Sequence, residues 1–367
     1  MSSKKDNSKP TDNYYMGLAL EIAKENVGLT KENPSVGCVL VKDNQIISTG
    51  VTSMNGRPHA EFNAIKNCVL NPKGSTAYVT MEPCTHKGKT NPCSSLLIKS
   101  KIKKICFSVS DVDERTSNKA LKIFKSKGIA VSKGILKKEL NKFYSSYLFN
   151  RKYKLPYVTG KIACSRDNFI KSKNNRYISD ESSLNVTHLL RYKNDGILVS
   201  YKTINSDNPK LDCRLNGLEK FSPKIFVVDK NLMIKKSSYI INSLNKKKTF
   251  IFYNCSKTKK IKFLKKKGIK LIKMHYDNHN QFNLLDILKH IYKLKVYNLL
   301  VEGGSHLSKN FLDKNLFNQF YLFKSFKNIK SNGSIKISNI LSILDKNFKV
   351  KKILDTYSNK DKIIKFN

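Results

Sequence analysis

His59-Ala60-Glu61, Pro83-Cys84 and Cys93 are the residues whose types and spacing point most directly to chemistry. One imidazole and two thiols make three ligands of the kind zinc prefers, and a zinc held by three protein groups keeps its fourth position for water. Four ligands would mark a structural site. A water bound in this way has a pKa of about 7, so it is a nucleophile at neutral pH. Glu61 lies two residues from the first ligand and is not needed as one; it is placed to move a proton from that water to a departing group. The competing reading is one surface histidine and two unrelated core thiols. That is the commoner explanation of each residue singly, and the full set in this order weighs against it. His86, near the cysteines, reads as a loop residue rather than a fourth ligand.

Local elements must bring these residues together. Residues 77–81 read as a buried strand running into Glu82-Pro83-Cys84, and residues 60–67 as a helix opening at the histidine. A strand end facing a helix N-terminus makes a ligand cage. Upstream, residues 14–26 place Met16, Ala19, Leu20 and Ala23 on one helical face, and strands 36–41 and 45–52 flank a turn at Asp43-Asn44. Downstream come a helix from 94 to 99, a strand from 104 to 109, a helix from 119 to 127 stopped by Gly128, and a short strand from 129 to 132. Residues 139–151 read as one helix. The alternation predicts a three-layer α/β domain over 14–151 behind a disordered polar tail, 1–13. The charged stretch before Pro156 marks a boundary. A second α/β domain is expected over 155–367, with strands at 157–163, 196–200, 224–229, 249–253, 270–274 and 297–301. The zinc motif does not recur in it.

At 367 residues the chain is long enough for two cores. No apolar run of about 18 residues predicts a membrane span, and the lysine-rich start lacks the apolar stretch of a secretory signal. Eight cysteines in such a chain fit a reducing cytoplasm. The net charge of +43 invites a nucleic-acid reading. The excess is nearly all Lys and runs from Lys4 to Lys365, which fits solvated surface better than a specific nucleic-acid site. A phosphorylated small substrate would also be drawn to it.

His-x-Glu followed by Pro-Cys and a second Cys is the layout of zinc nucleobase deaminases. Eight residues separate Cys84 from Cys93 here. With that gap, the runs Asn33-Pro34-Ser35-Val36-Gly37-Cys38 and Met81-Glu82-Pro83-Cys84-Thr85-His86, and the second domain, the chain resembles the bifunctional riboflavin-biosynthesis deaminase/reductases. The resemblance runs from Tyr14 to about Phe323. It implies a cytidine-deaminase-like α/β domain followed by a dihydrofolate-reductase-like α/β domain. It implies one zinc on His59, Cys84 and Cys93, Glu61 as proton shuttle, and Asn33 lining the base pocket. Lys161-Ile162-Ala163-Cys164-Ser165-Arg166-Asp167 matches the reductase's opening strand and nicotinamide-side loop, and Leu189-Leu190-Arg191 a substrate helix. The run from Thr203 through Asp207 to Leu211 and Arg214 matches a cofactor-and-substrate loop, and Glu302-Gly303-Gly304 a strand-to-glycine turn. For NADPH the resemblance implies Cys164, Tyr177, Thr203, Asp207, Gly303, Gly304 and Ser305; for substrate it implies Asn175, Arg191, Leu211, Arg214 and Glu302. Glycines between a strand and a helix let backbone N–H groups approach a phosphate, though a plain tight turn explains them equally well.

The chain departs from the family in having Asn168 where a Gly is usual, Arg166 where a small or apolar residue is common, and Tyr177 where a Trp is usual. Asn tolerates positive φ, so the loop is expected to keep its conformation. The implied reactions are hydrolytic removal of the 2-amino group of 2,5-diamino-6-(5-phosphoribosylamino)pyrimidin-4(3H)-one and NADPH-dependent reduction of its ribosyl group to ribityl. The rivals are a tRNA base deaminase with a basic binding half, a zinc-stabilised binding protein, and a deaminase with a degenerate second domain. Expected partners are the phosphorylated pyrimidine and no membrane, with self-association left open.

Overall fold

The structure is a computed structural model describing residues 11–88, 90–173, 178–243, 249–354 and 360–367. The chain divides into two compact units, Met1–Tyr153 and Lys154–Asn367. Among the described residues no helix is long and apolar enough to cross a membrane.

The first unit is built on a five-stranded sheet of β1 (Gly37–Lys42), β2 (Gln45–Val51), β3 (Thr76–Met81), β4 (Lys104–Val109) and β5 (Ala130–Lys133), in the order β2-β1-β3-β4-β5. The β1–β2 hairpin turns at Asp43 and Asn44, with φ 51° and 63°. Paired positive φ values are what a two-residue turn matched to strand twist requires, and Asp and Asn tolerate them. β3, β4 and β5 are parallel, and β1 joins β3 antiparallel. The sheet packs its Val39, Leu40, Val79 and Phe107 into one core with Met16 and Ala19 of the first helix. That helix, Asp12–Lys24, begins inside the stretch expected to be disordered, because Thr11 accepts a hydrogen bond from the Tyr14 N–H and caps it. Residues 1–10 lie outside the described residues. The single helix expected over 139–151 is two, Lys137–Phe143 and Ser145–Tyr153. Tyr144 stands between them, its hydroxyl 2.6 Å from Thr80 Oγ1 and donating to Ser35 O at 3.0 Å.

Gly50 decides how closely the next helix, Ala60–Lys66, lies on β2. A Cβ there would stand 2.3 Å from Ala60 O and 2.4 Å from Ala64 N, so only glycine admits this approach. The helix carrying Glu61 is thus seated against the sheet at backbone distance.

The second unit is a nine-stranded sheet. Its strands are β6 (Tyr157–Cys164), β7 (Gly196–Ser200), β8 (Lys224–Val228), β9 (Thr249–Tyr253), β10 (Lys270–Lys273), β11 (Asn298–Glu302), β12 (Gln319–Lys324), β13 (Lys351–Leu354) and β14 (Lys362–Phe366). The order is β10-β9-β8-β7-β11-β6-β12-β14-β13. The first seven positions are parallel, and β14 and β13 are antiparallel additions. Alternate residues serve two cores: Leu198, Phe226, Phe252, Leu299 and Val301 face one, and Ile197, Val227, Ile251 and Leu300 the other. Helices on both faces account for near-continuous apolar runs such as Gly196–Ser200. Each buried large apolar side chain contributes about 1.5–3 kcal/mol.

Candidate active sites

In the first unit the cage expected from sequence is assembled. His59 is the residue before the helix Ala60–Lys66, with extended backbone at φ −74°, ψ 163°. Cys84 follows β3 in a loop, and Cys93 opens the helix Cys93–Lys99. His59 Nδ1 lies 3.6 Å from Cys84 Sγ and 3.4 Å from Cys93 Sγ, and the three ligand atoms lie within 4.8 Å of one another. Nitrogen and sulfur at zinc bonding distances from one tetrahedral centre stand about 3.5 Å apart, so the donor set fits zinc in kind and in spacing. The Cys93 thiol donating to Cys84 holds the Cys84 thiol down at about 4 and pushes that of Cys93 up. The Cys93 backbone N–H also donates to Cys84 Sγ, at 3.3 Å. A preformed thiolate is what a metal ligand requires.

Glu61 is 4 % exposed and sits in the first turn of its helix beside this group. Burial pushes its carboxyl up, and it meets the Cys93 thiol. Asn33 donates from Nδ2 to Gly56 O at 2.9 Å. Gly56 has φ 85°, and a Cβ there would stand 2.6 Å from both Asn33 Nδ2 and Thr30 O. Asn33 therefore clamps the loop that delivers His59, a task its motif did not announce. His86 is outside the ligand group, with Nδ1 3.1 Å from Thr116 Oγ1. Sequence reasoning missed Glu82. Its buried carboxylate accepts from the N–H groups of Asp111, Asn118 and Ala120 and closes the loop that carries Thr116.

In the second unit Cys164, Thr203, Glu302, Gly303, Gly304 and Ser305 all lie at or just beyond the carboxyl ends of the adjacent strands β6, β11 and β7. The chain order reverses here, since β11 returns between β6 and β7, and in open parallel sheets such a crevice is where ligands bind. The Gly304 N–H donates to Thr203 Oγ1 at 3.3 Å, and the helix Ser305–Asp313 starts directly after. No side chain crowds the place where a Cβ of Gly303 or Gly304 would stand nearer than 3.6 Å, so a phosphate can come close to the backbone. Cys164 is fully buried, and burial pushes its thiol up to about 11. Only its backbone is left to face a cofactor. Asp207 closes the helix Tyr201–Asp207 beside Ser206. Asn175 and Tyr177 lie outside the described residues.

Arg191 and Glu302, both expected to contact substrate, hold each other. Arg191 Nε and Nη2 donate to the two carboxylate oxygens at 3.0 and 2.7 Å, and Nη1 donates to Asp212 O at 3.0 Å. Burial pushes the Glu302 carboxyl up, but Arg191 and Lys161 outweigh it and hold it down at about 2. Burial lowers Lys161, whose ammonium also rests 4.9 Å over the Phe323 ring. Leu211 turns its side chain into the core. It is 2 % exposed and its φ is 56°, so any substrate contact is left to its backbone. Arg214 stays half-exposed, with Nε 3.8 Å from Asp212 Oδ1. Asn168 has φ 70°, as a glycine there would allow, and its Oδ1 accepts from Lys324 Nζ at 3.0 Å. Asp167 is occupied with Ser165 Oγ and the N–H groups of Ile329 and Lys330, which makes it a loop anchor. His188 was also missed. It lies three residues before Arg191 on the same helix, a spacing that puts both on one face and was the available signal.

Residues 9–109 match the cytidine and deoxycytidylate deaminase zinc-binding region, and residues 156–325 match the RibD C-terminal domain. The riboflavin biosynthesis protein RibD of Aquifex aeolicus is 32% identical, over 93% of this chain and 94% of that protein. RibD of Bacillus amyloliquefaciens is 32% identical over 85% of this chain and 84% of its own. Among solved structures, Acinetobacter baumannii RibD aligns with TM-score 0.80 at 25% identity over 97% of this chain and 98% of that one. The diaminohydroxyphosphoribosylaminopyrimidine deaminase/5-amino-6-(5-phosphoribosylamino)uracil reductase of Thermotoga maritima aligns at 0.81 and 27% identity with the same coverage. The fold class is accordingly a cytidine-deaminase-like domain joined to a dihydrofolate-reductase-like one. Matched in both halves and over 93% of its length by a relative 32% identical, the chain belongs to the RibD family of bifunctional riboflavin-biosynthesis enzymes.

Proposed function

We propose that residues 14–151 carry the deaminase and residues 155–367 the reductase of a bifunctional enzyme of riboflavin biosynthesis. Its cofactors are zinc and NADPH, its substrate is 2,5-diamino-6-(5-phosphoribosylamino)pyrimidin-4(3H)-one, and its place is the cytoplasm. The observation that carries the reading is the convergence of His59 Nδ1, Cys84 Sγ and Cys93 Sγ beside a buried Glu61, in a chain of this family.

His59, Cys84 and Cys93 would hold the zinc, which when bound supplies a Lewis acid and a water acidic enough to attack at neutral pH. Glu61 takes the proton of the attacking water. It passes that proton to the ring nitrogen, then carries the remaining proton of the added hydroxyl to the departing amine, which leaves as ammonia. A carboxyl pushed up by burial suits both acceptance and return. The pocket wall includes Asn33 and the loop it fixes. In the second unit NADPH, when bound, would supply the hydride that reduces C1 of the opened ribosyl group, giving the ribityl chain. The backbone of Gly303, Gly304 and Ser305, with Thr203 and Asp207, binds and orients that cofactor. Arg214, the one guanidinium of the candidate set left half in solvent, anchors the substrate phosphate. Arg191 and Glu302 shape the wall of that site through their own pair.

The test is Glu61→Gln in the full-length chain. Zinc content and reduction of the already deaminated substrate should stay as in the wild type, while deamination falls by about 10²–10⁴-fold, the usual share of a general acid–base group. Deamination near the wild-type rate would refute the shuttle.

A further inference from the structure

Resting on the reading of Arg214 as the phosphate anchor, we propose that His188 is a positioning residue for the reductase substrate: neutral, its Nε2 holds the Arg214 guanidinium in the anion-binding pose, and protonation of the ring releases it. His188 belongs to no motif used above, yet it touches Asp212 and Arg214 in the loop that follows the helix Tyr201–Asp207. Its Nδ1 lies 3.0 Å from the carbonyl of Asp212. The Arg214 backbone N–H also approaches Nδ1, at 3.3 Å; the Asp212 carbonyl is nearer and accepts only, so we place the hydrogen on Nδ1, which leaves Nε2 with a lone pair. That lone pair faces Arg214, whose Nε and Nη2 stand 3.4 and 3.3 Å away. The side chain of Arg214 is 44% exposed. An arginine so placed would sample many rotamers, and losing them on phosphate binding weakens affinity. The imidazole restricts it beforehand while leaving guanidinium N–H groups for the ligand.

The charges around the ring make the arrangement sensitive to its protonation. Arg191 faces it from the same helix, Asp212 and Arg214 from the loop, and Glu302 from the end of β11, with Lys161 of β6 beyond Glu302. A second proton on the ring would point Nε2–H at the donors of Arg214 and add a cation beside two guanidiniums. Burial first, then Arg191 and Arg214, push the ring below its usual 6.5, with Asp212 opposing. The ring is therefore neutral at pH 7.5 and takes its proton on the acid side of 6.5.

The experiment uses the full-length chain, NADPH and the deaminated ribosylaminouracil phosphate, following NADPH absorbance between pH 5.5 and 8. His188→Ala should raise KM for that substrate about tenfold at pH 7.5, the loss of one hydrogen bond to a charged group. Its kcat, its KM for NADPH and its deaminase rate should stay within about twofold of wild type. His188→Gln restores an acceptor that does not titrate. Its KM should be close to wild type at pH 7.5 and should rise less than the wild type's as pH falls. The substrate phosphate itself takes up a proton near pH 6, equally in both proteins, so the difference between the curves belongs to His188. If Arg214→Ala raises KM while His188→Ala leaves it within twofold, or if the His188→Gln curve tracks the wild type, the proposal falls. If Arg214→Ala itself leaves KM unchanged, the phosphate-anchor reading beneath it has failed instead.

Discussion

Arg191→Met tests the buried pair at the second site. The substitution keeps an unbranched apolar stem and removes the guanidinium, leaving the Glu302 carboxylate with Lys161 beside it. The structure sets the magnitude. Glu302 has its ordinary 4.5 brought down to about 2, and at 1.36 kcal/mol per unit that difference amounts to about 3 kcal/mol of stability at pH 7. Breaking one half of a buried pair typically costs about 3–5 kcal/mol, which agrees. For a unit the size of Lys154–Asn367 each kcal/mol moves the midpoint by about 2–4 °C, so its thermal transition should fall by about 6–12 °C. The dependence on pH follows from the direction of the shift. A carboxyl lowered on folding contributes fully above its unfolded value and loses that contribution as pH falls toward its folded one. The gap between wild type and variant should thus be complete at pH 5 and shrink by more than half at pH 3. Circular dichroism melts of the full-length proteins at these pH values would measure it. A midpoint within about 2 °C of wild type at pH 7, or a gap that persists undiminished at pH 3, would refute the reasoning.

Two further predictions concern the first unit. Cys84→Ser should lose zinc, measured by elemental analysis, together with deamination; a full metal complement in that variant would remove Cys84 from the ligand set. Gly50→Ala would drive a Cβ to 2.3 Å from Ala60 O, so the helix Ala60–Lys66 must shift. Deamination should drop at least tenfold and the first unit should lose about 1–3 kcal/mol, the usual cost of overpacking, with NADPH oxidation on the deaminated substrate unchanged. An alanine variant as active as wild type in deamination would mean the helix is free to reseat.

Sequence alone revealed backbone placement better than side-chain pairing. The strand Gly196–Ser200 and the helix start at Ser305 were legible because a run of apolar residues and a pair of glycines are local signals. So was the ligand cage, since zinc constrains three residue types at once. The pairing of Arg191 with Glu302 was not legible: 111 residues separate them, and their motifs spoke of substrate without saying which way either side chain turns. Leu211 illustrates the same limit, a motif residue whose side chain belongs to the core. Tyr144 looked like one more residue of a continuous helix, and only its hydroxyl's partners, Thr80 and Ser35, explain the break there. β13 and β14 are weak local signals because lysines precede or interrupt their apolar residues, as in Lys362–Phe366, where Ile363 and Phe366 face inward, whereas β12 carries the continuous apolar run Phe320–Phe323.

The place of β11 between β6 and β7 has a consequence for the order in which the protein is made. The ribosome releases β6 through β10 before the strand that joins β6 to β7 exists. At about 5–20 residues per second, the interval from Ser200 to Asn298 lasts about 5–20 s. Through that time both edges of β6, whose partners are β11 and β12, and the β11-facing edge of β7 wait without partners, a state prone to mispairing. β11 closes the gap between β6 and β7 and brings Gly303 and Gly304 with it, so the join at the sheet's centre and the glycine turn proposed to hold the cofactor are made by the same stretch of translation, before β12, β14 and β13 extend the sheet. NADPH seated on those glycines, as proposed above, could therefore not template the early sheet. It can only stabilise one already closed, and a cell short of the cofactor would produce this unit at the same rate but retain less of it.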